Sequence, residues 1–251
     1  MVSAIELLEE VIVVPRWSFP TLPDLQVIER PGWLQIVTPS ITTGGLNEVI
    51  YSLLDERTAD ATIDSAIAIY RDLGLKFRWN AGPGSGPADL GDRLELRGLV
   101  PNPGRGMARS TDGGDDVGDV DGVIEVDDQT LHDYTHVMAT GWGADPAALR
   151  SLHRHLLSEP RQCLFVSYCA GEPVAAASYV AFARSAFMMG AVVLPDVRGR
   201  GLYRALVQAR LTHARSRGIG LATTHASEAT SAPILEELGF ETVCRFQMYV
   251  G

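Results

Sequence analysis

Cysteine and basic residues are scarce in this chain of 251 residues. The three cysteines, Cys163, Cys169 and Cys244, form no C-x-x-C pair, so the motifs of zinc fingers and dithiol redox proteins are absent. We therefore expect reduced thiols and no bound metal. Lys and Arg together number 21 against 31 Asp and Glu, which gives a formal charge of −10. Because an acidic surface repels phosphate backbones, nucleic acid is not expected as a partner.

Long apolar runs are also missing. No stretch approaches the roughly 20 apolar residues that a membrane span needs, and the first apolar run ends at Pro15. The N-terminal segment carries acids where a signal peptide needs bases. We therefore expect a soluble, cytoplasmic protein without a membrane partner. The content of 46% hydrophobic and 21% charged residues is typical of a globular chain that forms its own core.

The spacing of apolar residues and of turn residues predicts a mixed α/β fold. Predicted helices cover residues 58–73, 88–97, 129–140, 146–157, 202–217 and 232–238. Predicted strands cover residues 33–37, 75–79, 123–126, 163–168, 174–183, 186–194, 219–224 and 243–250.

One order of elements occurs twice. A helix, a glycine, a strand, a loop, a helix and a second glycine follow one another with Gly74 and Gly98 in the first half, and with Gly218 and Gly239 in the second. This repetition predicts a duplicated unit. Residues 112–128 carry eight acids and no base, and they lack the spacing and the closing Glu of an EF-hand calcium loop. We interpret them as an exposed loop at the boundary between two domains.

The residues that point to chemistry are concentrated in one turn. An apolar strand ends near Leu194, the sequence Arg-Gly-Arg-Gly occupies residues 198–201, and a helix is predicted from Leu202. Glycines let the backbone approach a ligand, a helix start presents unpaired N–H groups, and arginines add positive charge. The turn therefore favours a pyrophosphate site. A P-loop and a dinucleotide fingerprint both fit worse, because Gly-Lys-Ser/Thr and a third glycine are missing. A tight turn with solvated arginines is the plainer alternative.

The stretch Arg198-Gly199-Arg200-Gly201-Leu202 resembles the R/Q-x-x-G-x-G/A motif of the GNAT superfamily of acyl-CoA-dependent N-acetyltransferases, with Tyr203 in place of the final small residue. The resemblance covers residues 130–251. The first half is similar to the degenerate first repeat of tandem GNAT proteins, through the runs 79–83 and 87–91. The resemblance implies two GNAT-like domains, each a twisted mixed sheet flanked by helices. Residues 1–122 would form the degenerate domain and residues 123–251 the domain that binds acetyl-CoA.

The resemblance also implies an activity. Acetyl-CoA, as the acyl donor, would pass its acetyl group directly to an amine of a small molecule or peptide, with no metal. A catalytically inert acyl-CoA-binding or regulatory protein is the alternative, and transfer to a hydroxyl, a longer acyl donor and a homodimer stay open. The residues that the resemblance assigns to the donor are Val192, Val193, Leu194, Arg198, Gly199, Arg200, Gly201, Leu202 and Tyr203.

Direct transfer needs a base for the amine, and an acid for the departing thiolate would help it. The nearest ionisable side chains after the strand 219–224 are His225 and Glu228, and we favour Glu228 on the condition that desolvation raises its pKa. A solvated loop histidine and a helix-start acid are the plainer interpretations. The usual acid of the family, a Tyr, corresponds to Leu235 here, so that role falls to Tyr203, to Tyr249 or to water.

Histidines cluster in the two predicted helices 129–140 and 146–157. His132 and His136 are four residues apart and could share a helix face, as metal ligands do, but no Glu-x-x-His context accompanies them. We interpret these two, together with His153 and His155, as surface or cleft-lining residues.

Overall fold

The computed structural model describes residues 3–42, 45–112 and 122–251. It has the mixed α/β class that the sequence predicts. The helices are α1 (Ala4–Leu8), α2 (Ala59–Asp72), α3 (Leu90–Glu95), α4 (Leu131–Trp142), α5 (Pro146–Ser158), α6 (Leu202–Ser216) and α7 (Ser231–Glu237). The strands are β1 (Gln26–Arg30), β2 (Trp33–Val37), β3 (Glu48–Ser52), β4 (Arg78–Ala81), β5 (Val100–Ser110), β6 (Val123–Glu125), β7 (Gln162–Cys169), β8 (Glu172–Ala181), β9 (Ser185–Val193), β10 (Leu221–Ser227) and β11 (Glu241–Val250). Within the described residues, every helix is too short or too polar to span a bilayer.

The chain forms two compact units, and each is assembled from separate stretches of sequence. The first unit comprises Met1–Pro20, Met107–His225 and Pro233–Val243, and the second comprises Thr21–Gly106, Ala226–Ala232 and Cys244–Gly251. A single cut between residues 122 and 123 does not reproduce these units, because β5, β10 and β11 contribute residues to both. Most of the acidic loop predicted at that cut, residues 113–121, lies outside the described residues.

In the first unit, β8 pairs in antiparallel fashion with β7 and β9, and β9 pairs in parallel with β10. Helices α4, α5 and α6 pack against these strands. Helix α5 begins as its sequence predicts, because Asp145 Oδ1 accepts the Ala147 N–H at 3.0 Å and Pro146 occupies the first position. Helix α4 ends at Gly143, whose φ of 61° is the left-handed conformation that favours glycine.

In the second unit, the strand order is β1, β2, β3, β4, β11. Its core is aromatic: Trp33 and Trp79 meet edge to face with ring centroids 5.4 Å apart, and Tyr70 stacks on Phe77 at 4.5 Å. The polar atoms of these rings are satisfied, since Trp79 Nε1 donates to Ser52 Oγ at 2.9 Å and the Tyr70 hydroxyl donates to a backbone carbonyl. The core therefore buries large rings without leaving these donors unpaired.

The repetition seen in the sequence extends to the backbone. Gly74, Gly98, Gly218 and Gly239 have φ values of 65°, 83°, 75° and 81°, so all four close a helix in the left-handed conformation. In each half, moreover, a helix joins two parallel neighbouring strands: α2 joins β3 to β4, and α6 joins β9 to β10.

Candidate functional site

Strands β9 and β10 separate part-way along their length. Their parallel pairing runs from Ser185 and Leu221 to Met188 and Thr224, whereas β9 continues to Val193 and β10 to Ser227. The Thr224 hydroxyl donates to the Met188 carbonyl at 2.9 Å and fixes the last pair. Beyond that point the two strands leave a gap between them.

A β-bulge in β9 lies at the start of this gap. Opposite Ala177 of β8, β9 carries two residues, Gly190 and Ala191. Gly190 has a φ of 59°, and a Cβ at this position would lie only 3.0 Å from Ser178 Oγ. Because a bulge bends and twists its strand, it gives a physical reason for the departure of β9 from β10.

The turn between β9 and α6 presents backbone donors. Gly199 and Gly201 have φ values of 77° and 83°, and Gly201 is the N-cap of α6 without a side-chain cap. The bond from the Ala205 N–H to the Gly201 carbonyl, 3.0 Å long, belongs to the first turn of the helix. The N–H groups of residues 202–204 precede it, so they lie at the positive end of the helix dipole, where an anion binds.

The predicted arginines flank this helix start. Arg198 and Arg200 are both exposed, and Arg198 Nε donates to the Val193 carbonyl at 3.1 Å. That bond holds the turn against the end of β9. The end of β9 that is not paired with β10 and the start of α6 are therefore joined by this one turn within the first unit.

This geometry agrees with the comparison of the chain with known proteins. Residues 128–240 match the model of the acetyltransferase (GNAT) family. These residues, a little under half of the chain, are similar to a GNAT acetyltransferase domain. The resemblance of the second half of the chain to GNAT acetyltransferases is thereby confirmed. No curated protein matches the sequence.

Solved structures share the fold over nearly the whole chain. A conserved protein of unknown function from Staphylococcus epidermidis has a TM-score of 0.66 at 14% identity, with coverage of 91% of this chain and 94% of its own. A GCN5-related N-acetyltransferase from Kribbella flavida has the same TM-score and identity, with coverage of 99% and 95%. A tandem GNAT protein from the clavulanic acid biosynthesis pathway has a TM-score of 0.58 at 15% identity, with coverage of 96% and 87%.

Leu194 was expected to bind the donor, but both of its backbone groups are engaged within the first unit. Its N–H donates to the Val174 carbonyl at 3.0 Å, and its carbonyl accepts the Val197 N–H at 3.2 Å. The backbone of Leu194 therefore continues the sheet and the turn. Among the three strand residues assigned to the donor, Val192 and Val193 lie along the gap itself.

His225 lies within β10, one residue beyond the last pair with β9, rather than after the strand as predicted. Its Nε2 is 2.9 Å from the Val11 carbonyl, and its ring meets the Phe187 ring edge to face at 5.1 Å. Since a carbonyl only accepts hydrogen bonds, Nε2 is the donor in this contact, and in the neutral form of the ring Nδ1 then carries the lone pair.

Glu228 follows β10 directly and binds two arginines. Its Oε1 lies 2.6 Å from Arg105 Nη2, and its Oε2 lies 2.7 Å from Arg245 Nη1. Hydrogen bonds from Arg105 and then Arg245 lower the pKa of Glu228 to about 2, against a smaller opposing effect of burial. The expectation that desolvation raises this pKa is wrong, because both arginines stabilise the charged carboxylate.

The three positions considered for the acid differ in their surroundings. Leu235 is buried in the core, and Tyr249 is buried in the aromatic cluster of the second unit. Tyr203 is half-buried in the first turn of α6, beside the Arg/Gly turn.

Sequence reasoning missed Arg210, which is only 2% exposed. Its Nε donates to the Leu206 carbonyl at 3.0 Å and its Nη1 to the Ser178 carbonyl at 3.1 Å, and burial lowers its pKa to about 10. It interacts electrostatically with Tyr203 and Tyr134. A buried guanidinium thus supports β8 beside the bulge. An arginine on a helix gives no sequence signal that it is buried, since most arginines are exposed.

The histidines separate into two kinds. His132 and His136 are exposed on α4, as interpreted. His153 is a core residue, which corrects the interpretation of it as surface or cleft-lining. Its Nδ1 lies 3.0 Å from the Thr135 hydroxyl, its ring meets Tyr134 edge to face, and burial lowers its pKa to about 4.

Proposed function

We propose that this protein transfers an acetyl group from acetyl-CoA to an amine of a small molecule or peptide. The observation that carries the proposal is that the end of β9, beyond its last pair with β10, leads through one Arg/Gly turn into the uncapped start of α6. The N–H groups of residues 202–204, with Arg198 and Arg200, would bind the pyrophosphate, and Val192 and Val193 would line the pantetheine arm. The thioester would then lie near the bulge at Gly190.

Among the described residues of the first half, the connection that corresponds to the Arg/Gly turn lacks the features of a donor site. The connection from β3 to α2, residues 53–57, contains no glycine. Asp55 Oδ1 accepts the Arg57 N–H at 3.0 Å just before α2 begins, and Asp60 lies in the first turn of α2, so two carboxylates lie near this helix start. An anionic ligand would be repelled there. We propose that residues 1–122 descend from a GNAT repeat that has lost its donor site, and that residues 123–251 keep theirs.

Isothermal calorimetry with CoA tests the donor site. Changing Arg198 and Arg200 to Ala removes two charge-assisted phosphate contacts, each of which contributes about 1.5–3 kcal/mol, so affinity should fall more than tenfold per residue. Arg215→Ala, at the far end of α6, is the matched control and should bind CoA as the wild type does. If the double variant binds CoA with the affinity of the wild type, the donor site does not lie at this turn.

Turnover separates the enzyme from an inert binding protein. Acetyl-CoA is incubated with a panel of primary amines, and release of the free thiol is followed. Turnover with any amine supports the transferase. Calorimetric binding of acetyl-CoA without turnover of any amine would favour the acyl-CoA-binding alternative instead.

We assign the base to His225 rather than to Glu228. His225 lies where β9 and β10 separate, and its Nδ1 is the proton-accepting nitrogen when Nε2 binds the Val11 carbonyl. Glu228, with a pKa of about 2 and two arginine partners, is a poor proton acceptor near neutral pH. Tyr203 is the acid that we assign for the departing thiolate.

Single substitutions test these roles. His225→Gln should lower kcat roughly 10²–10⁴-fold with little change in the KM for acetyl-CoA, whereas Glu228→Gln should leave kcat nearly unchanged. If Glu228→Gln lowers kcat and His225→Gln does not, Glu228 is the base. If neither substitution lowers kcat, the proton leaves through water or another residue and the assignment is wrong. Tyr203→Phe should lower kcat while the protein still binds CoA.

A further inference from the structure

A cysteine, a histidine and a carboxylate meet at the edge of the first unit, away from the donor site. Cys163 is on β7, His213 is near the end of α6, and Glu125 is the last residue of β6. One ligand atom from each lies within 4.8 Å of the others. The three residues are separated by 38 and 50 positions in the sequence, so they could not be recognised from a short metal-binding motif.

The spacing of these atoms approaches that around a tetrahedral zinc ion. His213 Nε2 and Glu125 Oε2 are 3.4 Å apart. Bond lengths of about 2.0–2.3 Å to zinc place neighbouring tetrahedral ligands roughly 3.4–3.6 Å apart. The nitrogen and the oxygen are therefore already at the separation that one shared ion requires, and the Cys163 sulfur lies within 4.8 Å of both residues' ligand atoms.

The surroundings hold the histidine in the orientation of a ligand. Its other nitrogen, Nδ1, is 2.7 Å from the Tyr179 hydroxyl, and the Phe165 ring meets the imidazole edge to face at 5.4 Å. In metal sites a hydrogen bond at the second nitrogen commonly fixes the ring and directs the first nitrogen at the ion. Tyr179 has that role in this cluster.

The residues of the cluster differ in their exposure to solvent. Cys163 is 2% exposed, whereas the side chain of Glu125 is 55% exposed. An ion could therefore enter past the carboxylate and bind to a thiolate that is shielded from solvent. Thiolate, imidazole and carboxylate together form a ligand set that zinc accepts.

We propose that Glu125, Cys163 and His213 bind one Zn²⁺ ion, with a fourth position open to water. The Cys163 thiol would release its proton to solvent when the ion binds. His213 is twelve residues beyond Gly201 on the same helix, about 18 Å along its axis, so this site is separate from the donor site and does not depend on the proposed transferase activity. The ion would fasten the end of α6 to β6 and β7.

Arg217 is the group in the cluster that opposes a cation. Its Nη1 lies 2.8 Å from Cys163 Sγ, and its Nη2 donates to the Pro160 carbonyl at 3.1 Å. An N–H donor to a metal-bound thiolate is compatible with zinc, because the sulfur keeps lone pairs for both. The alternative is that no ion binds and that the Cys163 thiol only accepts the hydrogen bond from Arg217.

Equilibrium dialysis of the full chain against zinc, followed by elemental analysis, measures the stoichiometry. We expect one zinc per chain, and we expect cobalt in its place to show a thiolate-to-metal charge-transfer absorption. Cys163→Ser and His213→Gln should each abolish that absorption. Cys244→Ser and His132→Gln, which change a cysteine and a histidine outside the cluster, should retain it.

Glu125→Gln covers the case in which substitution of the buried Cys163 prevents folding. The Glu125 side chain is mostly exposed, so this variant should fold normally and bind zinc at least tenfold more weakly. Substoichiometric zinc in the wild type would overturn the proposal. Cobalt binding without the charge-transfer absorption, or an unchanged zinc affinity in Glu125→Gln, would also overturn it and would leave the thiol held by Arg217 alone.

Discussion

The buried imidazole of His153 should make the first unit sensitive to mild acid. Its pKa is about 4 in the folded protein, whereas an unfolded chain has a histidine pKa near 6.5. Above pH 6.5 both states are neutral, and the contribution of His153 to stability is complete. As the pH falls from 6.5 to 4, the unfolded state binds a proton that the folded state excludes, so stability is lost.

The size of this loss follows from the difference in pKa. Each pKa unit corresponds to about 1.4 kcal/mol, so a depression from 6.5 to about 4 amounts to roughly 3 kcal/mol at full protonation. Because His153 is only 1% exposed, solvent does not weaken the effect. For a domain of ordinary stability, this is a large fraction of the free energy of unfolding.

Urea unfolding at a series of pH values between 7 and 4 measures the effect. His153→Gln should lower stability at pH 7, because the ring packs against Tyr134, but should flatten the pH dependence by roughly 3 kcal/mol over this range. His132→Gln, an exposed histidine on the neighbouring helix, should keep the wild-type slope. Parallel curves for the wild type and His153→Gln would show that the imidazole is not held neutral by burial.

Two glycine substitutions probe the donor site. Gly141→Ala would place a methyl group against the Val192 side chain, 3.0 Å from its Cγ2. The resulting overpacking costs about 1–3 kcal/mol, whereas the gain in helix propensity is about 1 kcal/mol. We therefore expect a lower midpoint of thermal unfolding. An unchanged or raised midpoint would mean that Val192 moves freely. Gly201→Val forces a branched side chain into a φ of 83° and should weaken CoA binding in calorimetry more than either single arginine change does. Gly220→Val, at an open position with ordinary φ, should bind CoA normally, and equal affinities for the two variants would contradict the role of the turn.

Elements with a strong local pattern could be predicted from the sequence. The strand 33–37 coincides with β2, and the helices predicted at 58–73 and 202–217 extend only slightly beyond α2 and α6. Apolar periodicity and capping glycines are local signals, and they specify these elements without knowledge of the rest of the chain. The Arg/Gly turn could be placed for the same reason, since its strand, loop and helix are consecutive.

Features that depend on distant residues could not be predicted. Strand β5 was missed because Pro101, Pro103, Gly104 and Gly106 are unfavourable in a strand, and tertiary contacts override that preference. The low pKa of Glu228 depends on an arginine 123 positions away. Periodicity indicates which face of an element is apolar, but it does not show which charges meet there.

The gap between β9 and β10 also matters for how the protein avoids unwanted association. Residues 189–193 of β9 are not paired with β10, so this side of the strand resembles an edge strand although it lies inside the sheet. Five residues of strand extend over about 16 Å. Open edges recruit other extended chains. Here the open length is short and a bulge twists it, and both features discourage pairing with another strand. On the proposed function, a donor bound along this edge would also block its pairing with another strand.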